Sequence, residues 1–219
     1  MKQKNARNFS ITAVLLTAFL LWTLAVIKID VQPVGQKGTT VGLASMNQAF
    51  HELTGVHMWI YNITDWLSII PLLLCIGFCV LGLVQLIKRK SLFKVDSDII
   101  ILGIFFVLVI AGYLFFEKVP VNYRPILIEG CLEASYPSST TLLILSVMPV
   151  TAMQCHTRIK NANLAKLVNI VIILFSLFMV GGRLISGVHW ISDIIGGVLL
   201  SSGLVMLYYS SVTLVAKRK

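Results

Sequence analysis

Charged residues are scarce in this sequence, making up 12% of its 219 residues, whereas 57% of the residues are hydrophobic. An ordinary soluble domain carries roughly 25% charged and about 45–50% apolar residues, so the composition excludes a soluble monomer. The apolar residues occur in long runs, and about 20 of them in succession are what a helix needs to cross a bilayer. The composition therefore predicts an all-α, polytopic membrane protein.

Cysteine is also rare. The four cysteines, Cys75, Cys79, Cys131 and Cys155, show no metal-ligand spacing. Cys75 and Cys79 fall within an apolar run, where a thiol behaves as a small hydrophobic group. We therefore expect neither a zinc site nor a disulfide framework, and no metal.

Six hydrophobic segments predict six transmembrane helices within one domain covering residues 1–219. They lie at about residues 10–28, 65–87, 98–116, 138–156, 165–182 and 191–213. We expect the first to be a membrane span and not a cleaved signal, because its apolar run, Phe9–Ile27, is longer than a signal core. The long connection between the first two spans, about residues 29–64, is the first outer loop. Its mixed stretch Leu43–Leu53 predicts a short helix on the membrane surface.

The cations are distributed unevenly about these spans, with 13 of the 18 Lys and Arg residues on one side. The 13 are Lys2, Lys4, Arg7, Lys88, Arg89, Lys90, Lys94, Arg158, Lys160, Lys166, Lys217, Arg218 and Lys219. The other side has Lys28, Lys37, Lys118, Arg124 and Arg183. By the positive-inside rule both termini are cytoplasmic, and the net charge of +9 indicates a lipid bilayer as the partner, not nucleic acid.

The stretch from Gly182 to Asp193 is the most informative part of the chain. His189 and Asp193 are four residues apart. If the last span begins near His189, both side chains share a helix face and the carboxylate can hold the imidazole N–H. An imidazole oriented in this way can attack phosphorus. The alternative is that the two residues pair only to avoid a lone charge in the membrane.

A second cluster, Ser135–Thr141, precedes an apolar run and contains Ser138, Ser139 and Thr140 directly after Pro137. Proline at a first helical position and a Ser or Thr cap indicate a helix start. The free N–H groups and hydroxyls of a helix start can bind an anion, and simple capping is the alternative.

A third cluster lies at the outer end of the third span, where Lys118 and Arg124 are interleaved with prolines. Pro120 and Pro125 stop a helix here, which predicts a bent loop that folds over a site. Arginine can grip two phosphate oxygens and lysine supplies a point charge. Helix capping or contact with lipid headgroups is the alternative for these cations.

Together and in this order, the clusters resemble the three signature motifs of the type 2 phosphatidic acid phosphatase family. The third motif, Ser-Arg-x5-His-x3-Asp, is matched by Arg183, His189 and Asp193, with Gly182 in place of Ser. The first motif, Lys-x6-Arg-Pro, is matched by Arg124 and its following proline, whereas Lys118 is offset by one residue.

Two positions depart from the family pattern. Glu117 stands where the first motif has its Lys, and the second motif, Pro-Ser-Gly-His, reads Pro137-Ser138-Ser139-Thr140 here. Thr140 therefore replaces the His that protonates the leaving oxygen in the family. A hydroxyl is far too weak an acid for that step, and His51 or His57 in the first outer loop is an alternative donor.

The resemblance implies an active site at the outer membrane–water interface and no cofactor. His189 forms a phospho-histidine, Asp193 orients it, and Arg183 supports the chemistry. The phosphoryl oxygens are held by a set of cations and hydroxyls that replace a metal, namely Lys118, Arg124, Arg183, Ser138, Ser139 and Thr140.

The expected function is hydrolysis of a lipid phosphate or, preferentially, a polyisoprenyl diphosphate such as undecaprenyl diphosphate. The alternative is a silent relative that binds or transports phosphorylated lipid. A soluble-substrate phosphatase or haloperoxidase-like protein fits less well, because the short loops do not provide a separate pocket. The outward orientation and small size favour a bacterial plasma membrane.

Overall fold

The computed structural model describes residues 2–216, apart from the side chains of Lys2 and Lys4. Those two side chains and the terminal cations Lys217, Arg218 and Lys219 lie outside the described part of the chain. The described residues form eight α-helices. These are α1 (Lys2–Lys28), α2 (Ala44–Thr54), α3 (Met58–Leu67), α4 (Ile69–Arg89), α5 (Ser97–Lys118), α6 (Ser139–Arg158), α7 (Ala162–Ile185) and α8 (Ile191–Ala216).

Within residues 2–216, five helical stretches are long and apolar enough to cross a membrane. They are Asn5–Lys28, Met58–Arg89, Ser97–Lys118, Ala162–Ile185 and Ile191–Ala216. Five of the six predicted spans therefore meet the requirements of length and hydropathy, and the sixth, which corresponds to α6, stays a prediction.

Helix α6 is not among these five stretches, and many of its polar side chains face protein. It packs against α7 and α8 and buries Thr141, Ser146, Thr151 and Gln154. The amide of Gln154 donates to the hydroxyl of Tyr208 on α8. These faces of α6 contact other helices, so they can carry polar side chains.

The first long connection contains two helices. The surface helix predicted at Leu43–Leu53 is present as α2 (Ala44–Thr54). The second predicted span starts earlier than residue 65, because α3 begins at Met58 and meets α4 at Ser68. Helix α3 turns Thr64 toward the protein and exposes apolar side chains such as Trp66.

Helices α1 and α8 pack against each other in opposite directions. Thr12 near the start of α1 lies 3.3 Å, hydroxyl to hydroxyl, from Ser210 near the end of α8. Further along α1, the indole of Trp22 donates to the carbonyl of Ser192 at 3.0 Å. The described ends of the chain therefore lie together at one end of the molecule, and the residues at the start of α8 lie at the other.

The bent loop predicted between the third and fourth spans connects α5 to α6. Its two arms pair through an isolated antiparallel bridge between Tyr123 and Ala134. Trp190, just before α8, donates its indole N–H to the carbonyl of Tyr123 at 2.7 Å. The loop is thereby fixed against the start of α8, where the third signature motif ends.

Candidate active site

His189 and Asp193 lie side by side at the start of α8, but a serine connects them. Helix α8 begins at Ile191, so His189 precedes it and does not share its face. The His189 Nδ1 atom is 3.8 Å from Asp193 Oδ2, which is too long for a hydrogen bond. The Ser135 hydroxyl lies 3.0 Å from Nδ1 and donates to Asp193 Oδ2. The expected direct bond is therefore replaced by a bridge through Ser135.

The bridge determines which imidazole nitrogen carries the proton. An ionised carboxylate only accepts hydrogen bonds, so the Ser135 hydroxyl must donate to Asp193. Its oxygen then accepts from His189, which places the proton on Nδ1. Nε2 is left with a free lone pair, and it is buried without a hydrogen-bond partner among residues 2–216. A neutral imidazole with a free Nε2 is the form that acts as a nucleophile.

The Asp193 carboxylate is fully buried and is held by donors from three directions. The backbone N–H of Trp190 donates to Oδ2 at 2.9 Å. The Asn122 amide and the Ser192 hydroxyl lie 3.5 and 3.4 Å from Oδ1. These donors fix the carboxylate that orients Ser135 and, through it, His189.

His189 is neutral at physiological pH. Burial lowers the pKa of its imidazole to about 4, although the Asp193 carboxylate acts in the opposite direction. The nearby guanidinium groups of Arg124 and Arg183 lower this pKa further, because they repel an imidazolium. The same cations that repel a proton attract a phosphate group.

Arg124 and Arg183 are both buried and both lie near one aromatic ring. The guanidinium carbon of Arg183 is 4.6 Å from the centroid of the Tyr61 ring, and that of Arg124 is 5.8 Å from it. Arginine stacks favourably on aromatic faces. Two arginines 59 positions apart in the sequence are thereby gathered into one cationic group beside His189.

Each arginine also has a carboxylate partner. Arg183 Nη2 donates to Asp65 Oδ1 at 2.7 Å. Arg124 Nε lies 3.0 Å from Glu133 Oε2, but its N–H is not directed at that oxygen. Nε of both arginines and Nη1 of Arg124 are buried and lack hydrogen-bond partners among the described residues. Such donors are costly to leave unpaired, which indicates an anionic ligand.

A cavity of about 240 Å³ opens beside these groups. Arg124, Ser135, Ser139 and His189 are among the residues that line it, together with Glu117 and Glu133. The cavity is large enough for a phosphate group, and its wall includes both the buried imidazole and a buried guanidinium. The cavity lining thus contains one predicted residue from each of the three motifs, namely Arg124, Ser139 and His189.

The second motif is divided between two roles. The Ser138 hydroxyl caps α6, accepting from the N–H and the hydroxyl of Thr141. The sequence predicted Pro137 at the first helical position. In the structure it precedes the Ser138 cap and lies outside the helix. Ser139 begins the helix and lines the cavity.

Thr140 faces a neighbouring apolar cavity of about 300 Å³. Leu72, Val109, Ile110 and Leu143 contribute to its wall. Ser139 lines both cavities, so the two adjoin. Asp65 also lines the apolar cavity, which places this carboxylate between the cationic group and an apolar space.

The structure does not bring Lys118 to the site. Lys118 is exposed at the end of α5, and the described lining of the cavity contains Glu117 in its place. His51 and His57 also lie apart from this lining. His51 packs against the Trp190 ring with 5.6 Å between ring centroids, and His57 Nε2 is 2.9 Å from the Thr54 carbonyl oxygen.

The sequence assigned no role to three residues that contact the predicted ones, namely Ser135, Tyr61 and Asp65. Ser135 directly precedes the second motif, but its bridging role depends on a contact between residues 54 positions apart. Asp65 carried a signal, since an ionisable residue at the mouth of an apolar run is functional by default. Tyr61 is one of six tyrosines and carried none.

Comparisons with known proteins concern the family and the fold. The sequence pattern of the PAP2 superfamily matches residues 74–216. The fold is similar to the crystal structure of a transmembrane PAP2-type phosphatidylglycerolphosphate phosphatase from Bacillus subtilis, with a TM-score of 0.65 and 18% sequence identity. The similarity covers 90% of this chain and 94% of that one. A comparison with curated protein sequences gives no significant match.

Proposed function

Because the chain belongs to the PAP2 superfamily, we infer that it is a phosphatase of membrane lipids that acts through a phospho-histidine on His189. One observation carries this proposal. The Nε2 atom of His189 is buried, lacks a hydrogen-bond partner among the described residues, and shares its surroundings with unpaired donors of Arg124 and Arg183. Phosphoryl oxygens are suitable acceptors for the guanidinium donors, and phosphorus is the electrophile that the Nε2 lone pair can attack.

The proposed reaction proceeds in two displacements. The Nε2 lone pair of His189 attacks phosphorus, and the bond to the leaving oxygen breaks with its electron pair on that oxygen. Water then attacks the phospho-histidine, inorganic phosphate leaves, and the imidazole is restored. Arg124 and Arg183 stabilise the charge on the phosphoryl oxygens, which is most of the catalysis in phosphoryl transfer, and no metal ion is required.

The proposed substrate carries its phosphate on an apolar chain. The cavity lined by Leu72, Val109 and Leu143 adjoins the phosphate cavity at Ser139, so a lipid has room for its apolar part next to the reacting group. A polyisoprenyl diphosphate is the preferred substrate within this class, because the leaving-group acid of the second motif is replaced by Thr140. The phosphatidylglycerolphosphate of the Bacillus subtilis protein is the monoester alternative.

A silent lipid-phosphate-binding protein is the second candidate function. It is favoured by one observation: Glu117, an acid, lines the cavity where the family has a cation. A protein of this kind binds phosphorylated lipid without releasing phosphate.

Phosphate release by the purified protein tests the proposal. The panel comprises phosphatidate, phosphatidylglycerol phosphate, isoprenyl phosphate and isoprenyl diphosphate, each with and without EDTA. We expect release from at least the diphosphate, unchanged by EDTA and abolished in His189→Ala. Binding of these lipids with no release from any of them would favour the silent protein.

A further inference from the structure

Helix α3 lies outside residues 74–216, the part of the chain that matches the family pattern, yet it contacts the phosphate-binding arginines. Tyr61 and Asp65 are four residues apart on α3, so they project from the same face of the helix. Both contact the Arg183 guanidinium. The three signature motifs contribute neither residue.

Packing fixes α3 against the third motif. A Cβ atom at Gly182 would lie 2.7 Å from Cγ2 of Thr64, which is closer than packed atoms approach. The serine that is usual at this position in the family would therefore collide with α3. The backbone N–H of His57 also donates to the Ser186 carbonyl at 3.0 Å. The departure from the motif at Gly182 thus makes room for α3.

Arg183 and Asp65 form an ion pair in which Arg183 is the more firmly held residue. Its side chain is 1% exposed, and its guanidinium stacks on the Tyr61 ring. The Asp65 side chain is 57% exposed, so its carboxylate can turn into solvent without a large desolvation cost. An exchange of ligands on Arg183 therefore moves Asp65 and leaves the guanidinium in place.

We propose that Asp65 is an internal competitor that occupies the Arg183 guanidinium before a ligand binds and must be displaced by the phosphoryl group of the substrate. This inference rests on the proposed function. Carboxylate and phosphate oxygens take the same guanidinium donors with similar geometry. Asp65 therefore competes with every anion that enters the site.

This competition separates lipid-borne phosphate from free phosphate. A lipid gains additional binding energy from apolar contacts, and the apolar cavity that holds them is itself bordered by Asp65. Inorganic phosphate has no such contribution and must displace Asp65 with its oxygens alone. Displacement of Asp65 costs both ligands the same free energy, but only the lipid has apolar contacts that offset this cost. Inorganic phosphate, the product of phospho-histidine hydrolysis, is therefore held weakly and leaves the site.

Direct binding of inorganic phosphate to the purified full-length protein, measured by titration calorimetry, tests this inference without turnover. Asp65→Asn keeps the size and removes the charge, and Asp65→Ser is the second variant. The matched control is Asp98→Asn, because Asp98 pairs with Arg158 at 2.9 Å and neither residue lines the phosphate cavity. We expect phosphate to bind about tenfold more tightly to both Asp65 variants, and no change in the control.

The outcomes distinguish this inference from the proposed function. Phosphate affinity that is unchanged or weaker in a folded Asp65 variant overturns the role of Asp65, even if the parent hydrolyses lipid phosphates. Tighter phosphate binding in the variants, with no lipid hydrolysis by the parent, retains the role of Asp65 and rejects the proposed function. A parent and variants that all fail to bind phosphate reject the inference as well.

Discussion

Ser135 joins His189 to Asp193, two residues that do not bond to each other directly. Its hydroxyl is 3.0 Å from His189 Nδ1 and donates to Asp193 Oδ2, across a gap of 3.8 Å between imidazole and carboxylate. Because the serine can satisfy both groups in only one arrangement of protons, it fixes the tautomer of the imidazole. The orienting function expected of Asp193 is thus exerted through Ser135.

The first prediction concerns this bridge. Ser135→Ala removes the acceptor of the Nδ1 proton and leaves the imidazole free to change tautomer, so kcat should fall by about 10- to 100-fold. Phosphate release under saturating lipid substrate measures the loss. The control is Ser146→Ala, because Ser146 is equally buried and its hydroxyl has no hydrogen-bond partner in the described part of the chain. Full activity in Ser135→Ala would show that the bridge does not serve catalysis.

The second prediction separates the roles of the motif residues. His189→Ala should reduce turnover by at least about 10³-fold, because it removes the group that forms the covalent bond. Asp193→Asn should cost less, since the carboxylate only orients. Arg124→Lys and Arg183→Lys should each cost roughly 100-fold, because a point charge does not reproduce bidentate contact.

Thermal unfolding of each variant is the control for these losses. Lys118→Ala provides a matched comparison, since Lys118 is exposed and the cavity lining has Glu117 instead; its activity should stay close to that of the parent. Parental turnover in a folded His189→Ala protein would reject the phospho-histidine mechanism.

The motif spacing predicted much of this site. The contacts that it did not predict join residues far apart in the sequence. Arg183, His189 and Asp193 lie within 11 residues of sequence, so local spacing was enough to identify them. Asp65 is 118 residues from Arg183, and only the packing of α3 against α7 brings them together. Hydropathy has a similar limit for α6. It indicates contact with lipid, whereas most of this helix packs against other helices.

The third prediction concerns protonation. Burial lowers the pKa of His189 to about 4, so the reactive neutral imidazole persists as pH falls from 7 to 5 and is lost only as pH passes through about 4. An ordinary histidine would already be charged below about 6.5. Nitrogen-15 NMR of histidine-labelled protein measures this titration, with His189→Asn used for assignment. A midpoint near 6.5 would contradict the burial described here.

The fourth prediction concerns topology. The end of the molecule that holds the active site should face outward, because 13 of the 18 cations belong to the opposite side. Cysteines at Thr40 and Ala162, both exposed, report on the two sides in a background without native cysteines. An impermeant maleimide added to intact cells should label Thr40→Cys and not Ala162→Cys. Labelling both after the cells are opened is the control, and the reverse pattern in intact cells would invert the topology.

The fifth prediction concerns the leaving group. Cleavage of a phosphate monoester expels an alkoxide, a strong base that must be protonated as it leaves, and general acid catalysis of such a step contributes about 10²–10⁴-fold. Cleavage of a diphosphate expels a phosphate monoester, whose second pKa is about 6, so it departs as a stable anion. Thr140 lies where the family has its acid, and neither His51 nor His57 is part of the described cavity lining.

The ratio of kcat/KM for isoprenyl diphosphate to that for isoprenyl monophosphate should therefore be high in the parent and should fall in Thr140→His. The histidine supplies a proton that the alkoxide needs and the phosphate does not, so monoester cleavage should gain more. Thr140→Asn controls for the change in size, because an amide is not an acid at neutral pH, and it should leave the ratio high. Equal parental rates on the two substrates, or an equal gain on both in Thr140→His, would reject this explanation. Another proton donor would then have to act at the leaving oxygen.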